Sequence, residues 1–452
     1  MNNLSTRAMY FKLRKKIISY FDQMKKRILF VFAGLVLLFS SCSISKKINR
    51  PATEYMLDNP AFVSAHTGIS IYEPSTGKYW YNYQSEKYFT PASNTKLATC
   101  YAAMKYLGDS LTGIKYHLIN DSTVVIKGMA DPTFLHSDFE RNPVFDFIKK
   151  YPHIQIVNPQ FHDYLGSGWS WGDYLEDYMA QRSAFPVHGN TVEADWINDQ
   201  TLSFIPSYFQ KRSVIKGRLS TGYDVSKPWD FNDFTFANGT TKHAQIPFKP
   251  DEETLIAVLE DTLQTDVRAI PEFNEGLNGT IHSQPTDTLL RIMMHRSDNF
   301  FAEQCLLMVS QQLTGAVDDQ KVIDTLLATD YSAMPQKPHW VDGSGLSRYD
   351  LFSPKDFVYI LNKMKNDFGM KRIKNILPTG GTGTISSYYR PDSGYIFVKT
   401  GTLNGVVALS GFLYTKKNKL LLFSILVNNH TGSATSIRQG IEKFIQTVRN
   451  KF

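Results

Sequence analysis

The sequence predicts an α+β domain whose antiparallel sheet is assembled from both ends of the chain, with a long β-rich insertion between them. Three observations point there. Residues 67–72 and 79–83 are alternating β-rich runs flanking a segment in which Pro74 and Gly77 mark a turn, so they read as a hairpin. Residues 395–400, 406–414 and 420–428 are three further strand-like runs separated by Gly- and Lys-rich turns. Ile437, Ile441, Phe444, Ile445 and Val448 then recur at helical spacing and predict a last helix with one apolar face.

In chain order, the first feature is a leader. Lys25, Lys26 and Arg27 precede an apolar run at residues 28–39, followed by Ser40, Ser41 and Cys42. Those twelve apolar residues are too few to cross a hydrocarbon layer of ~30 Å but suit the core of a secretory signal. Small residues before a cysteine resemble a bacterial lipobox, so residues 1–41 are expected to be a lipoprotein signal and Cys42 the lipidated new N-terminus. The signal is complete without residues 1–23, which makes Met24 an alternative start. Residues 42–60 read as a solvated tether, on the strength of Lys46, Lys47, Arg50 and Pro51.

The leader also explains the charge. The chain of 452 residues has 49 basic and 42 acidic side chains, net +7. Residues 1–41 hold eight of the basic and one of the acidic residues, so the remainder is neutral. A nucleic-acid partner therefore loses its main support. With 42 % hydrophobic and 20 % charged residues the composition is that of a globular protein.

After Pro91 the period changes. Leu97, Cys100, Tyr101, Met104 and Leu107 predict an amphipathic helix whose first turn carries Ser93 and Lys96. The expected organisation is one domain from residues 61–112 plus 286–452, with residues 113–285 forming an inserted accessory region. Cys100 and Cys305 are equally compatible with a disulfide and with two buried apolar side chains.

The chemistry begins at Ser93. A lysine three positions on, at Lys96, shares its helix face and can take the hydroxyl proton if its own pKa is lowered. Alone the spacing is weak, since Ser43/Lys46, Ser75/Lys78 and Ser213/Lys216 repeat it. Two further triplets change the weighing: Ser297-Asp298-Asn299 before an apolar helix, and Lys399-Thr400-Gly401 at the end of a strand. In this order the three form the set shared by β-lactamases and penicillin-binding proteins. No G-x-S-x-G, HExxH or CxxC occurs, so neither a histidine-activated serine nor a metal or other cofactor is expected.

With these motifs on the page, the chain resembles a class C low-molecular-mass penicillin-binding protein of the D-alanyl-D-alanine carboxypeptidase/endopeptidase family. Gly128–Thr133, the tryptophan-rich stretch at residues 168–173 and the DGSGLSR run at residues 342–348 are similar to family segments, and 204 positions separate Ser93 from Ser297, room for that family's extra domains. Met129-Ala130, Gly172 and residues 186–190 depart from the usual pattern, all within the insertion. The resemblance implies a transpeptidase-like domain, an antiparallel sheet flanked by helices. It implies Ser93 as nucleophile, Lys96 as base, Ser297 as proton relay, Asn299 as positioning group, Lys399 and Thr400 at the substrate carboxylate, Gly401 as a further substrate-binding residue, and the Ser93 and Thr402 N–H groups in the oxyanion hole. Trp171 and Asp173 are weaker candidates for contact with a diamino-acid side chain. Expected partners are peptidoglycan stem peptides, β-lactam antibiotics as acylating inhibitors and a membrane reached through the N-terminal lipid. The expected location is the periplasm-facing bacterial envelope, at the outer membrane. Alternatives are a β-lactamase or esterase on the same scaffold, or a non-catalytic cell-wall-binding lipoprotein.

Overall fold

The structure, a computed structural model, describes residue 24 and residues 44–198, 201–217, 224–237 and 243–452. The leader and Cys42 lie outside them, and no helix among the described residues is long and apolar enough to cross a membrane.

The chain enters through α1, residues 44–57, whose last turn is a π-helix. The hairpin follows as β1 (His66–Glu73) and β2 (Lys78–Tyr83), then α2 (Lys96–Tyr106). The inserted region runs through β3 (Ser110–Asn120), β4 (Thr123–Gly128), α3 (Pro143–Ile148), β5 (His153–Val157), β6 (Thr191–Asn198) and β7 (Thr201–Ile205). It continues through β8 (Ser213–Lys216), β9 (Val225–Ser226), β10 (Phe234–Ala237), β11 (His243–Pro247), α4 (Glu252–Leu263), β12 (Asp266–Ile270) and β13 (Gly279–Pro285). The chain then returns as α5 (Thr286–Ile292), α6 (Asn299–Thr314), α7 (Asp319–Ala328), α8 (Pro354–Ile376), β14 (Ile396–Leu403), β15 (Val406–Tyr414), β16 (Leu420–Asn428) and α9 (Ala434–Lys451).

The main sheet has the order β14-β15-β16-β1-β2 and is antiparallel throughout, so strands from both ends of the chain close one sheet, as expected. The inserted region forms a five-stranded sheet, β12-β5-β4-β3-β13, and two three-stranded sheets. Its first strand opens at Ser110, three residues earlier than the sequence reading placed it.

Two apolar layers sandwich the main sheet. On one face α2, α5, α6 and α8 contribute Leu97, Leu289, Phe301 and Ile360. On the other, α1 and α9 contribute Ile48, Met56, Ile441 and Phe444. Two readings are corrected here. Residues 44–57 are not a tether: Ile48, Ala52 and Met56 are fully buried against α9, because an i, i+4, i+8 apolar stripe hides among the lysines. Nor is α2 amphipathic. Every residue from Lys96 to Met104 is buried, since α6 and α8 enclose it beneath the sheet.

Candidate active site

Ser93 does not sit in the α-helix itself. Pro91 leads into a short 3-10 turn, Ala92–Thr95, and α2 starts only at Lys96. Ala92 is held at a φ of 48°, a left-handed conformation that a non-glycine residue keeps only where its surroundings impose it. Two glycines make room for this turn. A Cβ on Gly345 would lie 1.9 Å from the Ala92 carbonyl oxygen, and one on Gly401 would lie 2.7 Å from that of Pro91. Backbone thus packs on backbone around the serine.

Lys96 Nζ donates to Ser93 Oγ at 3.0 Å, to Asn299 Oδ1 at 2.7 Å and to the Ser344 carbonyl at 2.7 Å. It is fully buried, and that burial lowers its pKa to about 8 against the opposing pull of Asp342, Glu303, Asp298 and Asp350. Asn299 is the first residue of α6, capped by the Asp298 carboxylate at the Phe301 N–H. Its amide donates to the Tyr178 carbonyl at 3.0 Å, tying the catalytic triplet to the inserted region. Ser297 ends a π-turn with φ at 63°, and its hydroxyl accepts from Lys399 Nζ at 2.8 Å.

Lys399 lies within β14, not at its end, and also donates to the Thr400 carbonyl at 2.7 Å. Burial and the nearby Lys96 hold its pKa well below the ordinary lysine value. β14 is an edge strand of the main sheet, so one side of its backbone has no partner strand among the described residues. Thr400 Oγ1 donates to Thr384 Oγ1 at 2.8 Å, and Thr402 Oγ1 accepts from Arg438 at 2.9 Å.

The structure therefore gathers Ser93, Lys96, Ser297, Asn299 and Lys399 into one polar cluster, with Thr400, Gly401 and Thr402 along its rim. Trp171 and Asp173 are not part of that cluster. Trp171 is 77 % exposed on a 3-10 turn, and Asp173 hydrogen-bonds the Tyr178 phenol, whose pKa burial and this acid raise to about 12. Cys100 and Cys305 are both buried free thiols.

Sequence reasoning missed the ground beneath Lys96. The Ser344 N–H donates to Glu303 at 2.7 Å, and Asp342 accepts from the Gly345 and Ser347 N–H groups and from the Trp169 indole. Arg182, 2 % exposed, reaches in from the inserted region to Glu303 and Asp319. Burial, with Asp342 close by, raises the Glu303 pKa to about 7 despite that arginine. Glu303 carries a faint signal, a charge on an apolar helix. Arg182 carries none.

Beside Ser297 a cleft of about 260 Å³ is lined from the inserted region by His136, Asp177, Tyr178 and Gln245 and from the catalytic side by Arg296 and Asn299. A hydroxyl held by a buried amine of lowered pKa, beside an edge strand, defines a lysine-activated serine acyltransferase. The chain belongs to the D-Ala-D-Ala carboxypeptidase 3 (S13) family, whose model matches residues 50–204 and 276–448. It is accordingly a serine-type, penicillin-binding peptidase of the D-Ala-D-Ala carboxypeptidase kind. It is 22 % identical to penicillin-sensitive carboxypeptidase A of Dictyostelium discoideum, over 83 % of this chain and 85 % of the relative. It is 24 % identical to a D-alanyl-D-alanine carboxypeptidase of an Actinomadura species, over 85 % and 82 %. Among solved structures, penicillin binding protein 4 of Haemophilus influenzae superposes with a TM-score of 0.69 at 19 % identity, covering 89 % of this chain and 98 % of that one. A predatory peptidoglycan endopeptidase of Bdellovibrio bacteriovorus follows at 0.52 and 14 %, covering 86 % and 93 %. These two likenesses carry the fold.

Proposed function

We propose that this peptidase cleaves D-Ala-D-Ala termini and D-alanyl cross-links of peptidoglycan by two acyl transfers at Ser93. Ser93 Oγ attacks the carbonyl carbon of the penultimate D-alanine and passes its proton to Lys96 Nζ. The tetrahedral oxyanion is held by the backbone N–H groups of Ser93 and Thr402, each such donor being worth about 10²–10³ in rate. As the C–N bond breaks, the leaving amine takes a proton through Ser297 Oγ and an acyl-Ser93 ester remains. Water then attacks the ester, releasing the shortened peptide and restoring the hydroxyl. Lys399 and Thr400 receive the substrate carboxylate, and Asn299 holds Lys96 in line. A β-lactam offers the same carbonyl, and one solved relative was crystallised with one.

The observation that carries this reading is the buried Lys96 Nζ, hydrogen-bonded at once to Ser93 and Asn299. The test is fluorescent-penicillin labelling with intact-mass analysis, alongside D-alanine release from a D-Ala-D-Ala peptide. A one-to-one adduct and peptide hydrolysis, both absent from Ser93→Ala, are expected. Adduct formation by the Ser93→Ala protein would defeat the assignment, and rapid drug turnover without peptide cleavage would make the chain a β-lactamase.

We further propose that the protein is held at the periplasm-facing envelope by a lipid on Cys42, after removal of residues 1–41 as a signal. The order of basic, apolar and small residues before that cysteine supports this. Labelling of cells with a fatty-acid probe should mark the wild type and not Cys42→Ser.

A further inference from the structure

We propose that the end of the molecule formed by the start of α1, the turn between β15 and β16 and the C-terminus of α9 is a docking surface for the anionic headgroups of a phospholipid bilayer. The three segments meet around Trp80. Asn49 accepts from the Tyr81 phenol at 3.0 Å, Trp80 packs edge-on against Phe452 with centroids 5.4 Å apart, and the Lys416 N–H donates to the Arg449 carbonyl at 2.9 Å.

Lys46, Lys47 and Arg50 on α1, Lys416 and Lys417 in the turn and Lys451 on α9 are all exposed. None has an ion-pair partner among the described residues; the acid of α1, Glu54, is exposed one turn on from Arg50, while Glu73 and Asp392 are buried and paired with Lys419 and Arg449. Residues 42–452 balance to zero net charge, so this cluster is a local asymmetry, not a share of a general excess. Its placement also fits a bilayer. Ile44, the first described residue of α1, stands two positions after Cys42 in the sequence, a span of at most ~7 Å. The register row of Thr400 and Leu409 beside Ser93 lies six residues along β15 from Thr415, or ~20 Å. The cationic end would rest on the headgroups while the cleft stands off toward the wall. The direction of approach rests on the Cys42 reading, but the charge complementarity does not.

The full chain, extracted in detergent and reconstituted in vesicles, tests this by lysine acetylation read residue by residue in a mass spectrometer. Phosphatidylcholine vesicles with about a third phosphatidylglycerol should slow labelling of Lys46, Lys47, Lys416, Lys417 and Lys451 about fivefold or more relative to pure phosphatidylcholine. Lys321 and Lys337, elsewhere on the surface, should label equally in both. About 0.5 M NaCl should remove the protection. Changing Lys46, Lys47, Lys416 and Lys417 to Gln should remove the protection at Lys451 and leave penicillin acylation unchanged. Equal labelling in the two vesicle types overturns the proposal, as does protection that ignores lipid charge and salt. The mass of the N-terminal peptide reports Cys42 acylation separately, so loss of the anchor and loss of the docking surface are distinguishable.

Discussion

The reactivity of Ser93 turns on the protonation state of Lys96. Burial lowers that amine to about pH 8, so it is mostly protonated at neutral pH and becomes a base as pH rises through that value. The rate of acylation by penicillin should therefore climb with pH and level off above about 8, and a flat profile measured by stopped-flow fluorescence would remove Lys96 as the base. Lys96→Arg keeps the charge but cannot give up its proton, so acylation should fall by about 10²–10⁴-fold in a folded protein. Beneath Lys96, Arg182 offsets the buried Glu303 and Asp342 carboxylates. Arg182→Met should cost about 3–5 kcal/mol in urea unfolding by leaving that acid uncompensated. Adding Glu303→Gln should recover part of the loss, and strictly additive effects would show that the two side chains do not act as a pair.

Among the elements, the turn that carries Ser93 depends on what packs over it. Gly345→Ala would place a methyl group 1.9 Å from the Ala92 carbonyl oxygen, so the serine must shift and penicillin labelling should vanish while circular dichroism stays native. Gly394→Ala is the control: the φ is the same 77° but nothing lies within 4 Å of the added carbon, so it should cost only about 1–2 kcal/mol and remain active. α1 gives a second test at this scale. Ile48 is fully buried between α1 and α9, and Ile48→Ala should lower stability by about 2–5 kcal/mol through transfer and cavity terms. A solvated tether would lose nothing. The sequence hid this helix because Lys46, Lys47, Arg50 and Pro51 read as a solvated segment, and the apolar stripe has meaning only once α9 is there to receive it.

Across the whole molecule, the inserted region supplies one wall of the cleft. Arg296, next to Ser297, forks onto Asp138 of that region at 3.0 and 2.5 Å, and the Tyr178 carbonyl holds Asn299. Arg296→Ala frees the wall without touching the serine. Acylation by a small β-lactam should change little, whereas kcat/KM for a cross-linked stem peptide should fall by about tenfold or more, because a long substrate needs both walls in place. Equal effects on the two substrates would mean that the wall takes no part in holding the longer one.

The sequence by itself determined the α+β class, the strands at residues 406–414 and 420–428, the apolar face of α9 and the five polar residues now found together. These were legible because periodicity and short motifs are local: each needs only its neighbours in the chain. Only the tertiary structure decided what depends on distant partners. The inward reach of Arg182, the gathering of the buried acids Glu303, Asp342 and Asp350, the burial of α2 on all sides and the docking of α1 come from groups tens to hundreds of residues apart. Such contacts leave no spacing to read. Desolvation, which turns Lys96 from a solvated cation into a base, is likewise a property of the enclosing fold and not of any residue beside it.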